Sequence, residues 1–107
     1  MKRLILFLAA GSLAFSAGCG KRTKQTITVK GSDTMVILGQ RWAETYMHHT
    51  AGVTVQVTGG GSGTGIAALI NGSTDICQAS RPMNYKEKDQ IKAKWKKEAK
   101  ETPVALD

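Results

Sequence analysis

The sequence predicts an α/β fold in which a mostly parallel β-sheet is flanked by helices. Segments with strand-like alternation and segments with helical spacing follow one another from about residue 26 onwards. Among them lies a seven-residue turn, GGGSGTG at 59–65, that contains five glycines. Glycines between a strand and a helix remove side chains and let a ligand approach the backbone closely. Alternating strands and helices are typical of a layered domain with a parallel sheet.

The first predicted unit is a strand, a helix and a second strand. Residues 27–29 alternate like a strand and end close to a glycine. A helix follows, for which Ser32 or Asp33 is the expected N-cap, and it breaks at 50–52. Helical spacing gives it one apolar face, made of Met35, Leu38, Trp42 and Tyr46. Residues 53–57 are the clearest strand of the chain because they alternate with period two.

The second half of the chain continues the alternation of helices and strands. A helix follows the glycine turn, stops at 71–72, and carries the apolar residues Ile66, Ala67, Leu69 and Ile70. Residues 75–79 predict a third strand, and residues 84–100 a third helix. The apolar stripe of this last helix is thin and consists of Ile91, Trp95 and Ala99. Residues 104–106, which follow a proline, are expected to form a final strand.

The first 18 residues, 1–18, have the layout of a secretory signal peptide. Their apolar run, 4–10, is too short to span a bilayer. The small residues before Cys19 resemble a bacterial lipobox, so we expect cleavage before Cys19 and a lipid on its thiol. Ordinary cleavage nearby is the alternative. Residues 19–25 are then a polar, lipid-anchored linker and 26–107 the folded domain, which predicts a protein exported to the periplasm or cell surface and anchored to a membrane.

Charge and cysteine content narrow the possible functions. The formal net charge is +7, but residues 26–85 are balanced and part of the surplus lies in the lysine-rich segment 86–101. Because acids are interleaved with these lysines, we expect a solvated face and no nucleic-acid partner. With Cys19 lipidated, Cys77 lacks a disulfide partner and is expected to pack as a small hydrophobe.

Three loops follow predicted strands and carry hydrogen-bond donors. They are Gly31 to Thr34, Gly59 to Thr64, and Ser80 with Arg81. Because ligands of open α/β sheets bind beyond the carboxyl ends of the strands, we expect these loops to converge. Hydroxyl groups, backbone N–H groups and the N-terminus of a helix favour an oxyanion. Plainer explanations also exist: tight packing for the glycines, helix-start roles for Thr34 and Ser62, and a surface position for Arg81.

Other chemistries fit the sequence less well. No lysine follows Gly65, so the segment is not a nucleotide-hydrolysing P-loop. Gly63, Gly65 and Ala68 match the relaxed dinucleotide pattern, but the acidic residue that this pattern requires is missing, which leaves a Rossmann-like nucleotide enzyme as the alternative. His48 and His49 lack further ligands and predict a helix end, not a metal site. We expect a binding protein, not an enzyme, without cofactor or metal.

Three motifs resemble, in order and spacing, the PstS-type phosphate-binding proteins, exported receptors that deliver phosphate to ABC importers. They are Gly31-Ser32-Asp33-Thr34-Met35, residues 59–66, and Asp75-Ile76 followed by Ala79-Ser80-Arg81-Pro82. The resemblance covers about residues 26–107. It implies the first lobe of a type II periplasmic binding protein that binds inorganic phosphate, acts as a monomer and delivers its ligand to an ABC permease in the membrane. By position, it implies phosphate binding by Ser32, Asp33, Thr34, Ser62, Gly63, Thr64, Ser80 and Arg81.

Two departures from the family pattern affect this expectation. Arg81 stands where well-known members carry an aspartate that accepts the proton of monohydrogen phosphate. A guanidinium cannot accept a hydrogen bond, so Asp33 becomes the candidate acceptor, and sulfate, molybdate or another tetrahedral oxyanion remains an open alternative. The chain is also shorter than two-lobed members, so we expect the second lobe to be absent. A single lobe leaves the site open to water and predicts weak phosphate binding.

Overall fold

A computed structural model describes residue 20 and residues 23–105. Its elements are β1 (Gln25–Gly31), α1 (Val36–His49), β2 (Val53–Thr58), α2 (Ser62–Asn71), β3 (Ile76–Gln78) and α3 (Tyr85–Trp95). The three strands form one parallel sheet in the order β2-β1-β3. The predicted α/β class with a parallel sheet is therefore confirmed. The signal peptide and the lipid site at Cys19 lie outside the described residues.

The two helices that connect the strands lie on opposite faces of the sheet. The connection through α1 leads from β1 to one side and the connection through α2 leads back to the other side. Right-handed crossovers in opposite directions place their helices on opposite faces. Side chains agree, because Gln78 of β3 faces Gly39 of α1 while its neighbour Cys77 faces Gly65 of α2.

Helix α2 lies directly on the backbone of β1. A methyl group added at Gly65 would lie 2.5 Å from Gly31 Cα and from the Lys30 carbonyl oxygen, and 2.9 Å from Cys77 Sγ. At its other end the helix stops at Gly72, whose φ of 77° is the left-handed conformation that glycine adopts readily. This close contact places the first turn of α2 at the carboxyl edge of the sheet.

Helix α1 packs on the sheet through small residues, which corrects the expected apolar face. Ala43 is buried, and a side chain at Gly39 would lie 2.5 Å from Gln78 Oε1. The residues of the predicted face are instead partly exposed, with Leu38 at 39%, Trp42 at 48% and Tyr46 at 50%. Gly39 and Ala43 let the helix approach the sheet closely, and Met47, whose Sδ lies 3.2 Å from the Val55 nitrogen, packs against β2 near the other end of the helix.

The C-terminal region differs from the prediction. Helix α3 ends at Trp95, before Lys100, because Lys96 adopts a φ of 55° and ends the helical hydrogen bonds. Trp95 Nε1 donates a hydrogen bond to the Ile70 carbonyl oxygen at 3.0 Å, which attaches α3 to the end of α2. Residues 104 and 105 are not in a strand, and the last residue of the predicted fourth strand lies outside the described residues.

The buried apolar side chains of the described residues are few, namely Ala43, Ile66, Ala68 and Ile91. Cys77 forms no disulfide with a described residue and is half-buried, and this burial raises the pKa of its thiol. Within residues 23–105, no helix is both long enough and apolar enough to cross a membrane.

Candidate functional site

Backbone hydrogen bonds join the loops that follow the three strands. Gly61 N–H, in the glycine turn 59–65, donates to the Gly31 carbonyl oxygen at 2.9 Å. Ser32 N–H donates to the carbonyl oxygen of Gln78, the last residue of β3, at 2.8 Å. The loop after the central strand is thus fixed on both sides, and the sequence-predicted residues of all three loops lie at one edge of the sheet.

The Asp33 carboxylate connects the first loop to the glycine turn. Asp33 Oδ1 accepts a hydrogen bond from Gly60 N–H at 2.8 Å, and it lies against Gly59, where any side chain would collide with it. The expectation that Ser32 or Asp33 caps α1 is wrong, because a single 3-10 turn precedes this helix and neither side chain caps it. Among the described residues, Asp33 Oδ2 has no hydrogen-bond donor.

The other two side chains of the first loop are paired hydroxyls. Ser32 Oγ and Thr34 Oγ1 are 2.9 Å apart, and either oxygen can donate to the other. Ser32 is only 4% exposed, whereas Thr34 is exposed. Ser32 therefore orients Thr34, and the Thr34 hydroxyl is the accessible one of the pair.

Ser62, the first residue of α2, links the glycine turn to the loop after β3. Its Oγ accepts a hydrogen bond from Ser80 N–H at 3.1 Å and lies 3.1 Å from Ser80 Oγ. One of the two hydroxyl hydrogens is used between the serines, so the other remains free to donate to a ligand. This pair places two hydroxyls beside the helix N-terminus.

Three backbone N–H groups are free at the start of α2. Within the part of the chain that the structure describes, the N–H groups of Ser62, Gly63 and Thr64 have no acceptor, as expected for a first helical turn. The N–H groups of Gly60 and Gly61 are already used by the first loop and β1. No atom lies within 4 Å of the place where a Gly63 side chain would stand. An anion therefore has open access to these donors and to the partial positive charge of the helix.

Arg81 does not point towards these donors. Its Nη1 and Nη2 donate to the two carboxylate oxygens of Glu87 at 3.0 and 2.8 Å, and Nη1 also donates to the Pro82 carbonyl oxygen at 3.0 Å. This pair, together with a hydrogen bond from Asn84 N–H, lowers the pKa of Glu87 to about 2. The hydrogen bond to Glu87 raises the pKa of Arg81. The Arg81 guanidinium thus makes its two parallel hydrogen bonds to Glu87 of the same chain.

Sequence reasoning missed two residues that shape this edge of the sheet. Glu87 belongs to a capping box with Asn84, and the Asn-x-x-Glu spacing before α3 was a readable signal for it. Gln78 is buried, and its Nε2 lies 3.4 Å from the Ser32 carbonyl oxygen. No local pattern predicts Gln78, since its role depends on the pairing of β1 with β3.

Apart from the Asp33 carboxylate, which is an acceptor, the assembled groups are hydrogen-bond donors, and this suits capture of a small oxyanion. Within the described residues, no three His, Cys, Asp or Glu side chains lie close enough together to hold a metal ion. His48 and His49 are in the last turn of α1, away from the start of α2.

Comparison with known proteins identifies the family of this chain. The chain matches the PBP superfamily domain over residues 19–107. It belongs to that family. Over 77 residues it is 34% identical to the phosphate-binding protein PstS of Pseudomonas aeruginosa, a match that covers 72% of this chain and 24% of that protein. The resemblance to PstS-type proteins seen in the sequence is therefore confirmed.

Solved structures agree with the sequence relatives. A possible phosphate-binding protein from Planctomyces limnophilus matches with a TM-score of 0.64 and 35% identity, over 67% of this chain and 25% of that one. An ABC-type phosphate transport receptor from Vibrio cholerae matches with a TM-score of 0.57 and 33% identity, over 59% and 25% of the two chains. The chain thus spans about a quarter of the length of the relatives it matches.

Proposed function

We propose that this chain supplies the first lobe of the substrate-binding component of a phosphate ABC importer and binds inorganic phosphate outside the cytoplasmic membrane. The observation that carries the proposal is the group of free N–H donors on Ser62, Gly63 and Thr64, which lies beside the Ser62–Ser80 hydroxyl pair. Thr34 adds a hydroxyl from the first loop, where Ser32 orients it.

The proposed selectivity for phosphate rests on Asp33. Its Oδ1 is engaged by Gly60 N–H, whereas Oδ2 has no donor among the described residues and can accept the proton of monohydrogen phosphate. Sulfate has no proton to offer, so a carboxylate oxygen against it is an unpaired contact between lone pairs. Sulfate, molybdate and other tetrahedral oxyanions are the competing ligands.

The proposed setting is the outer surface of a membrane. The signal peptide at 1–18 would direct export and be cleaved off, and a lipid on Cys19 would then hold the domain at the membrane through the linker 19–25. The delivery partner would be a membrane permease. The P. aeruginosa and V. cholerae relatives are named as a phosphate-binding protein and a phosphate transport receptor, which supports a receptor over a nucleotide enzyme.

A titration of the full chain, labelled with ¹⁵N and followed by NMR, tests the proposal. We expect added inorganic phosphate to shift the backbone amides of Ser62, Gly63 and Thr64 in a saturable way. The phosphate affinity of these residues, measured in this lobe alone, should be weak, because hydrogen bonds to donors that face water contribute little net free energy. Sulfate, molybdate and a nucleoside triphosphate at the same ionic strength are the comparison ligands. Equal amide shifts with sulfate would indicate a site for tetrahedral oxyanions in general and contradict selectivity for phosphate. Saturation by the nucleotide alone would refute the proposal.

A further inference from the structure

Two adjacent residues of the loop after β3, Ser80 and Arg81, turn their side chains to different partners. Ser80 Oγ lies 3.1 Å from Ser62 Oγ, at the start of α2. Arg81 turns away to α3, where both of its terminal nitrogens meet the Glu87 carboxylate and one also meets Pro82. Adjacent Cα atoms are about 3.8 Å apart, so the long Arg81 side chain is within reach of the Ser80 site if it is released.

Glu87 is held in place independently of Arg81. Its Oε2 accepts a hydrogen bond from Asn84 N–H at 2.8 Å, and its own N–H donates to Asn84 Oδ1 at 3.0 Å. The Glu87 side chain is 15% exposed, whereas that of Arg81 is 42% exposed. Exposed ion pairs between two mobile side chains contribute little, but here one partner is fixed by the helix start and the contact is bidentate.

We propose that Glu87 determines the affinity of the oxyanion site by holding the Arg81 guanidinium away from it, so that the loop after β3 contributes the Ser80 hydroxyl and no cation. This inference rests on the proposed function. It changes the role of Arg81 from a ligand to a residue withheld from the ligand. The anion is then bound by hydrogen-bond donors and by the N-terminus of α2, whose contacts depend on the anion's geometry. The loop after β3 adds no full positive charge.

Glu87→Gln is the variant that separates the ion pair from the fold. Glutamine at this position also completes a capping box, so α3 is expected to start at the same residue. The neutral amide weakens the hold on Arg81 and frees the guanidinium for the anion. Asp89→Asn is the matched control, because it removes one exposed negative charge from the same helix and Asp89 makes no ion pair with a described residue.

Phosphate affinity of the full chain and these variants, measured by the NMR titration, decides the question. We expect Glu87→Gln to bind about tenfold more tightly than Asp89→Asn, and this gain to disappear in the double variant with Arg81→Gln. Arg81→Gln alone is expected to bind like Lys86→Gln, which removes an exposed lysine of α3. If Glu87→Gln gains no more phosphate affinity than Asp89→Asn does, the inference is overturned. A tenfold loss of phosphate affinity in Arg81→Gln alone also overturns it.

The result also separates this inference from the proposed function. If the unaltered chain shows no saturable phosphate binding, the proposed function fails. In that case an Arg81-dependent gain of phosphate binding in Glu87→Gln still supports the withheld guanidinium, and the absence of a gain overturns it.

Discussion

The Ser62 hydroxyl accepts a hydrogen bond from Ser80 N–H at 3.1 Å and lies 3.1 Å from the Ser80 hydroxyl, although the two residues are 18 positions apart. This contact joins the start of α2 to the end of β3 at the sheet edge. It sets two hydroxyls beside the free N–H groups of the helix. The most direct test of the site therefore begins with Ser62.

Ser62→Ala should weaken phosphate binding by the full chain about fivefold, the equivalent of one hydrogen bond of about 1 kcal/mol. The NMR titration measures it. Ser73→Ala is the control, because the Ser73 hydroxyl donates to the Ala68 carbonyl oxygen at the opposite end of α2. Equal affinities for the two variants would show that the Ser62 hydroxyl does not contact the anion.

Asp33→Asn should reduce the preference for phosphate over sulfate. Asparagine keeps an oxygen for Gly60 N–H, so the loop contact is retained, but it presents an amide donor where the second carboxylate oxygen stood. Loss of that acceptor weakens the binding of monohydrogen phosphate and strengthens the binding of sulfate. We expect the ratio of phosphate affinity to sulfate affinity to fall about tenfold. Competition titrations with both anions measure this ratio, with Asp89→Asn as the charge control. An unchanged ratio would eliminate Asp33 as the proton acceptor.

Two glycines of α2 should respond oppositely to alanine. Gly65→Ala places a methyl group 2.5 Å from Gly31 Cα and the Lys30 carbonyl oxygen, and should destabilise the fold by about 1–3 kcal/mol. Gly63→Ala meets no atom within 4 Å and should increase stability by about 0.5–1 kcal/mol through helix propensity. Urea unfolding followed by circular dichroism gives both values. Similar midpoints for the two variants would contradict the close packing of α2 on β1.

Stability should fall in acid, in part through Glu87. The pKa of Glu87 is lowered from 4.5 to about 2 in the folded state, first by Arg81 and then by Asn84 N–H. A lowered folded-state pKa means that its contribution is fully present above pH 4.5 and is lost as the pH falls towards 2. Hydrogen bonds from Thr28 and Lys88 lower the pKa values of Asp75 and Glu101, respectively, so these groups act in the same direction.

Urea midpoints from neutral pH down to about pH 2 measure this dependence. Glu87→Gln has no carboxylate to protonate at this position. Its urea midpoint should therefore fall less steeply in acid than that of the unaltered chain. Asp89 has no hydrogen bond to a described residue like those between Arg81 and Glu87. The urea midpoint of Asp89→Asn should therefore fall in acid as steeply as that of the unaltered chain. The same pH dependence of the urea midpoint in all three proteins would contradict the role assigned to the Arg81–Glu87 pair.

Local patterns predicted the elements well and their packing less well. Alternation and helical spacing placed the three strands and three helices in the right order because they report which residues share a face. The same spacing selected Trp42 and Tyr46 as the packing face of α1, whereas the structure uses Gly39 and Ala43. A pattern of apolar residues does not reveal how closely a helix approaches a sheet.

The ends of elements depended on contacts that a local pattern does not contain. Helical composition continues to Lys100, but α3 ends at Trp95, whose Nε1 donates a hydrogen bond to the Ile70 carbonyl oxygen near the end of α2. The first loop was expected to cap α1, yet Asp33 uses its carboxylate on Gly60 instead. Both side chains bond to a residue more than twenty positions away, which a local pattern does not reveal.

By itself the sequence determined the α/β class, the order of the elements, the glycine turn at the start of α2 and the resemblance to PstS-type proteins, because all of these are written in residues close together in the chain. Only the tertiary structure decided which groups face the open edge. It paired Ser62 with Ser80, left three N–H groups at the start of α2 without an acceptor among residues 23–105, and turned Arg81 onto Glu87. The pairing of the strands sets the distances between side chains of different loops, and these distances and the charges determine which side chains interact. The sequence of one loop contains no information on its distance to another loop.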